Sequence, residues 1–268
     1  MFNNNDAVYT MFSKSCMESE MEYDKCFIDA DSIIFKIAVI TDSVTQAKSY
    51  FDKALDAIMR DTGSIKGYVA VKGHGNFRYG ISEDYKGNRS STPMDPKVKE
   101  RREAVTEYAW ETGCFKSDNC EADDIVSIWA QEAYEAGDHY VIAHIDKDID
   151  MVPGWHYNFN KKIQYFIDGD TGHYKMCIQM LTGDSTDNIH GLKGIGPKKA
   201  EKILKDIPTK DMLETVANVW RDHHPREWKE KLETCWNLLY MRRDWNGFKR
   251  LTIEEVFADE TIKGESEE

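Results

Sequence analysis

The chain has 268 residues, 41% of them hydrophobic and 31% charged, enough to bury one sizeable core with a smaller appended module. It lacks the apolar run of about eighteen residues that a membrane helix needs and a basic-then-apolar leader, so membrane classes are excluded and a soluble, cytoplasmic protein is expected. The formal net charge of −13 weighs against a polyanionic partner, because nucleic-acid binding draws on Lys and Arg.

The charge is unevenly spread. Residues 72–102 carry eight Lys and Arg against four acids, and residues 191–210 carry six Lys against two acids, a net of +4 in each. Two basic islands thus stand in an acidic chain; solvated, mixed-charge faces are the competing reading. The six cysteines form no CxxC pair and have no His at zinc-finger spacing, so they read as reduced thiols.

In chain order, residues 1–24 show no clear period and read as a loose arm or a short packing helix. Lys25 to Asp29 reads as a buried strand ending in an acid, and a helical segment begins at Ser32. From Asp42 to Arg60 the apolar residues follow helical spacing, with Asp42 as N-cap and Gly63 beyond the end. Ile65 to Val71 reads as a second strand, and Tyr140 to Ile145 as a third that runs into Asp146. Between them lie a Gly-rich basic loop, a charged helix over about 97–111, and an amphipathic helix marked by Ile125, Val126, Ile128, Trp129 and Ala133. Two short strands, Trp155 to Phe159 and Ile163 to Ile167, precede a helical remainder and an acidic tail over 258–268.

Strands alternating with helices imply an α/β fold with a mainly parallel central sheet flanked by helices. Ligands of such sheets gather beyond the carboxyl ends of the strands, where Asp29 and Asp146 fall. Closely spaced carboxylates occur at four places: Asp29 with Asp31, Glu121 with Asp123 and Asp124, Asp146 with Asp148, and Asp184 with Asp187. Any one pair alone reads as a solvated surface or helix cap. Jointly they form an all-oxygen donor set, which selects hard cations such as Mg²⁺ or Mn²⁺ over zinc. Two ions at about 3.5–4 Å can activate water and steady a leaving oxygen in phosphoryl displacement.

Residues Leu181 to Ala200, LTGDSTDNIHGLKGIGPKKA, resemble the signature run of the 5′ exonuclease and flap endonuclease family. Further motifs follow the family's order: Phe27-Ile28-Asp29-Ala30-Asp31-Ser32, Tyr85-Lys86-Gly87-Asn88-Arg89, Glu121-Ala122-Asp123-Asp124 and Asp146-Lys147-Asp148. The resemblance covers about residues 25–205, and five motifs in order are far more specific than any one. The compact length suggests the phage-encoded branch rather than the exonuclease domain of a bacterial polymerase I. It implies a PIN-like nuclease core over 25–175, with an arch region at about 85–119, and a helix-hairpin-helix subdomain over 176–257.

By position, the resemblance implies a first metal on Asp29, Glu121, Asp123 and Asp124, and a second on Asp146, Asp148, Asp184 and Asp187. Lys86 and Arg89 would contact the scissile phosphate, Tyr85 would stack on a base or simply pack, and Arg78 would bind DNA. Lys193, Gly194, Gly196, Lys198 and Lys199 would grip duplex DNA at the hairpin turn, which in the family often holds K⁺. The expected partners are DNA with 5′ ends, flaps or nicks and RNA–DNA hybrids, met by a monomer; a non-catalytic binder of branched DNA on the same fold is the competing reading. One departure stands out. The family has an acid in the strand before its Phe-Arg pair, whereas Tyr68 to Arg78 contains none, and Asp31 is an extra acid that either compensates or caps the next helix.

Overall fold

The computed structural model describes residues 8–9, 23–91 and 93–258. Val8–Tyr9 is β1, Lys25–Asp29 β2, Lys66–Lys72 β3, Phe115–Ser117 β4, Tyr140–His144 β5, Gly154–Asn158 β6 and Ile163–Ile167 β7. They form one sheet in the order β1-β3-β2-β5-β6-β7, with β4 sharing the edge of β3 that β1 also uses. Pairs β2–β3, β2–β5, β3–β4 and β5–β6 are parallel; β1 and β7 run antiparallel to their neighbours. In the central strands β2 and β5 the residues from Cys26 to Asp29 and from Tyr140 to His144 are buried, as a parallel sheet covered on both faces requires.

The two-residue period of the strands sorts the core. Cys26, Ile28, Val69, Val71, Val141 and Ala143 face a layer made by Asp31–Ile40 (α1), Val44–Thr62 (α2) and Pro96–Glu111 (α3). Phe27, Ala70 and Ile142 face Ala122–Ala136 (α4) and a single apolar cluster that continues through the C-terminal helices. These are Gly169–Thr182 (α5), Pro197–Leu204 (α6), Thr209–His223 (α7), Trp228–Leu239 (α8) and Ile253–Ala258 (α9).

Several expectations need correction. The boundary at 175/176 cuts α5, whose Met176, Cys177, Met180 and Leu181 join the apolar cluster containing α4, so core and helical subdomain share one interior. Residues 96–111, counted in the arch region, form α3, which buries Val105 and Ala109 against the α1 and α2 layer. Arg101 is buried and donates to the Ala38 carbonyl at 2.8 Å. Ser43, not Asp42, caps α2 by accepting from the Gln46 amide, and Gly63 at φ 64° ends it as expected. β4 was not foreseen, because three residues carry no usable period. The loose arm and the acidic tail fall outside the described residues, apart from β1 and residues 23–24 of the arm and Ala258 of the tail. No helix among the described residues is long and apolar enough to cross a membrane, and the described cysteines 26, 114, 120, 177 and 235 are unpaired and buried.

Candidate active site at the carboxyl ends of the strands

Asp29 ends β2 and Asp146 follows β5 by two residues; the two strands are adjacent, so both acids stand over the same end of the sheet. Glu121 is the N-cap of α4, in a capping box in which the Glu121 amide donates to Asp124 Oδ2 at 3.1 Å. That box sets Glu121, Asp123 and Asp124 at a helix N-terminus, where the helix dipole favours negative charge. Asp184 comes from a small hairpin, Gly183–Asp184 (β8) with Ile189–His190 (β9). The crossing of this hairpin over the end of α5 needs glycine: a Cβ on Gly183 would lie 2.2 Å from the Ile189 carbonyl, and one on Gly191 2.2 Å from the carbonyl carbon of Thr182.

The carboxylates form two groups joined through Asp146. Burial first, then repulsion from Asp31, Asp146 and Glu121, pushes the Asp29 carboxyl up to about 8. Burial, then Glu121 and Asp124, raises Asp123 as well. On the other side burial, a hydrogen bond with Asp184 and the charge of Asp146 push Asp148 up to about 7, and Gln179 of α5 donates to Asp148 Oδ1. Asp184 is buried, and its Oδ1 accepts from the Thr186 amide at 2.7 Å. Carboxylates held this close resist ionising together, so the site fits hard divalent cations by both donor chemistry and charge. Among the described residues, no three of these acids bring their oxygens within 4.8 Å of one another.

Asp31 occupies a particular place. Its Oδ1 accepts the Lys72 amide at 2.7 Å, which brings a carboxylate to the end of β3, the strand that lacks the expected acid. It does not cap α1 by a side-chain hydrogen bond at the N-cap, which is Ala30.

The basic residues sit on the acids. Lys86 Nζ contacts Glu121 Oε1 and lies 3.4 Å from Asp187 Oδ2, and Arg89 pairs with Asp187 Oδ1. Burial works against the Lys86 charge, but Glu121 and Asp187 outweigh it and raise the ammonium above its ordinary value. The loop is fastened to the Asp184 hairpin by its backbone: Lys86, at φ 57°, donates its amide to the Asp187 carbonyl at 2.8 Å, and Asn188 Nδ2 donates to the Asp84 carbonyl at 2.8 Å. Residues 87–91 continue as a short 3-10 turn.

Position decides between the two readings of Tyr85 and shows Arg78 and Asp124 buried. Tyr85 is 3% exposed and its hydroxyl donates to Glu121 Oε2 at 2.7 Å, so its ring packs and does not present a stacking face; Tyr79 beside it, 49% exposed, does. Arg78 is buried, with both terminal nitrogens on Asp124 at 2.6 and 2.8 Å and further donation to the Leu238 and Tyr240 carbonyls at 3.0 and 2.9 Å. It therefore has no surface for DNA. Asp124 is fully buried; burial works to raise its carboxyl, and the Arg78 guanidinium overrides this and holds it below the usual carboxylate range. Its Oδ1 also accepts the Arg242 amide at 3.0 Å and its Oδ2 the Glu121 amide, so Asp124 is a buried strut between α4 and the segment after α8.

At the hairpin turn, Lys193, Gly194, Gly196, Lys198 and Lys199 are all exposed. Gly194 takes φ 79°, Gly196 is the N-cap of α6 with Pro197 at its start, and Lys199 Nζ reaches the Gly194 carbonyl at 3.4 Å. Gln179 and Arg242 were not singled out from sequence. Gln179 sits one helical turn before Gly183, and only the helix period could have flagged it.

Residues 25–157 match the family described as 5′-3′ exonuclease, N-terminal resolvase-like domain. Among similar proteins, DNA polymerase I of Rhizobium leguminosarum is 33% identical over 172 residues, covering 59% of this chain and 17% of the polymerase. DNA polymerase I of Bacillus subtilis is 29% identical over 224 residues, 70% of this chain and 24% of the polymerase. The chain thus spans about a quarter or less of those two polymerases. Flap endonuclease Xni of Salmonella heidelberg is 30% identical over 172 residues, 60% of this chain and 66% of that protein. The T5 D15 protein co-crystallised with metal ions shares the fold, with a TM-score of 0.64 at 16% identity over 80% of this chain and 89% of the other.

Proposed function

We propose that the protein is a divalent-metal-dependent 5′ nuclease that hydrolyses phosphodiester bonds in DNA at 5′ ends, flaps and nicks, and in the RNA strand of RNA–DNA hybrids, leaving 5′-phosphates. The observation that carries this reading is the meeting, at one end of the sheet, of carboxylates from four separate stretches of chain, with Lys86 and Arg89 beside them. Asp29, Asp31, Glu121 and Asp123 would hold one Mg²⁺ or Mn²⁺, and Asp148 and Asp184 a second, with Asp146 between. Bound divalent ions supply a polarised water and neutralise charge on the phosphate.

The chain's own groups do the rest. Lys86 and Arg89, parked on Glu121 and Asp187, pass to the phosphate as substrate displaces them and stabilise the charge that grows there. The Tyr85 hydroxyl fixes the Glu121 carboxylate, and Gln179 fixes Asp148. Exposed Lys193, Lys198 and Lys199 grip the duplex through phosphates, and the turn around Gly194 would hold K⁺. The fold likeness to the T5 protein supports placement in the phage-encoded branch.

The test is cleavage of a labelled 5′-flap duplex in Mg²⁺, repeated with Asp146→Asn and with RNA–DNA hybrid. Cleavage abolished by the substitution is expected. Tight flap binding with no Mg²⁺-dependent cleavage would favour the non-catalytic binder.

A further inference from the structure

His144, Asp150 and His156 form a second group of side chains whose ligand atoms could hold a metal ion. His144 is the last residue of β5, His156 lies within β6, and Asp150 belongs to the short turn 147–151 between those strands. Both rings are buried, at 1% and 0% exposure.

His144 Nδ1 lies 2.6 Å from the Asp146 carbonyl, and His156 Nε2 lies 2.8 Å from the Val152 carbonyl. A carbonyl oxygen only accepts, so each of these nitrogens carries its hydrogen, and in a neutral imidazole the other nitrogen is then a bare lone pair. Those other nitrogens, His144 Nε2 and His156 Nδ1, face one another at 2.7 Å. Two lone pairs at that distance repel unless a cation lies between or beside them. Asp150 Oδ1 stands 3.9 Å from His144 Nε2, and the three ligand atoms all lie within 4.8 Å of one another. The surrounding groups are also those of a metal centre. Each ring donates its far N–H to a backbone carbonyl, the bond that orients metal-bound histidine, while Lys175 holds Asp150 Oδ2 at 2.6 Å. The Tyr165 hydroxyl lies 2.7 Å from Asp150 Oδ1 and 3.4 Å from His144 Nε2.

We propose that His144 Nε2, His156 Nδ1 and Asp150 Oδ1 bind a transition-metal ion of the zinc class, with the Tyr165 oxygen or water completing four ligands. Two imidazoles and a carboxylate select Zn²⁺ or Co²⁺ over Mg²⁺, so the ligand chemistry differs from that of the all-oxygen site. Metal–nitrogen bonds of about 2.0–2.1 Å in tetrahedral geometry place the two nitrogens about 3.3 Å apart, against 2.7 Å here, so the rings open by about 0.6 Å as the ion enters. The ion would brace the turn 146–152, which carries Asp146 and Asp148. This assignment stands independently of the nuclease reading.

The experiment loads the chelator-stripped full chain with Zn²⁺ or Co²⁺ in a large excess of Mg²⁺, removes loose metal by gel filtration, and measures retained metal and the Co²⁺ spectrum. One retained ion per chain is expected, with the intense visible absorption of four-coordinate, nitrogen-ligated Co²⁺. His156→Gln and Asp150→Asn should each lose it. Asp146→Asn, which keeps the carbonyl that His144 uses, should retain it. Zinc that washes out under Mg²⁺, or retention surviving both ligand substitutions, would overturn the proposal and leave a shared proton as the cation between the rings. Should His156→Gln fail to fold, X-ray absorption of the wild-type zinc protein decides: two imidazole nitrogens on the ion support the site, and an all-oxygen shell refutes it.

Discussion

Replacing Arg78 with methionine separates a buried strut from a DNA contact. The side chain makes two hydrogen bonds to the Asp124 carboxylate and two to the carbonyls of Leu238 and Tyr240, at 2.6–3.0 Å, and is 2% exposed. Methionine fills much of the aliphatic volume but leaves Asp124 a buried carboxylate supported only by the backbone amides of Arg242 and Glu121. Breaking one partner from a buried pair costs about 3–5 kcal/mol, most of it the uncompensated charge. The double substitution Arg78→Met with Asp124→Leu should recover a large part of that loss, since neither charge then remains. The assay is equilibrium unfolding in urea on the wild type, the two singles and the double, beside DNA affinity of each folded variant. An Arg78→Met protein within about 1 kcal/mol of wild type that binds DNA far more weakly would refute the strut and restore the surface role.

The acidic site gives a linked pH and metal effect. Asp29 and Asp148, pushed up to about 8 and about 7, bind protons more tightly in the folded chain than in the unfolded one, so metal-free stability should fall as pH rises from the ordinary carboxylate range through that interval. Thermal melts with and without Mg²⁺ should therefore diverge with rising pH, and a constant gap from about pH 5 to about pH 8.5 would contradict the clustering. Lys86→Ala should lower kcat by about 100- to 1000-fold with a smaller change in DNA affinity, read by single-turnover flap cleavage; an equal loss in binding alone would make it a steering charge. Asp31→Asn keeps an acceptor for the Lys72 amide and removes one charge, so cleavage should need about tenfold more Mg²⁺, and an unchanged Mg²⁺ requirement would leave β3 without a substitute acid.

How far these features can be read from sequence follows from their range along the chain. Asp29 and Asp146 were placed correctly because strand length and apolar content are local, and ligands of parallel sheets gather at carboxyl ends. The N-terminal turn of α4 was likewise visible in its acids. Arg78 and Asp124 were misread because a buried ion pair looks, in sequence, like two surface charges; what hides it is the packing of residues 238–242 against α4. Tyr85 turned inward for a related reason, since its hydroxyl found Glu121, 36 residues away. His144 and His156 passed as ordinary strand residues, because their meeting depends on β5 and β6 being neighbours and on a shared turn. For Asp31 the sequence allows capping or compensation, and the hydrogen bond from Lys72 sets it toward β3, a relation no local spacing encodes.

Anomalous diffraction from crystals soaked in Mn²⁺ tests the nuclease reading at its root. Manganese should appear among Asp29, Asp31, Glu121, Asp123 and Asp146, with a second ion at Asp148 and Asp184. Crystals that take up no manganese there, from a protein that still cuts 5′ flaps, would show that these acids do not seat the catalytic cations.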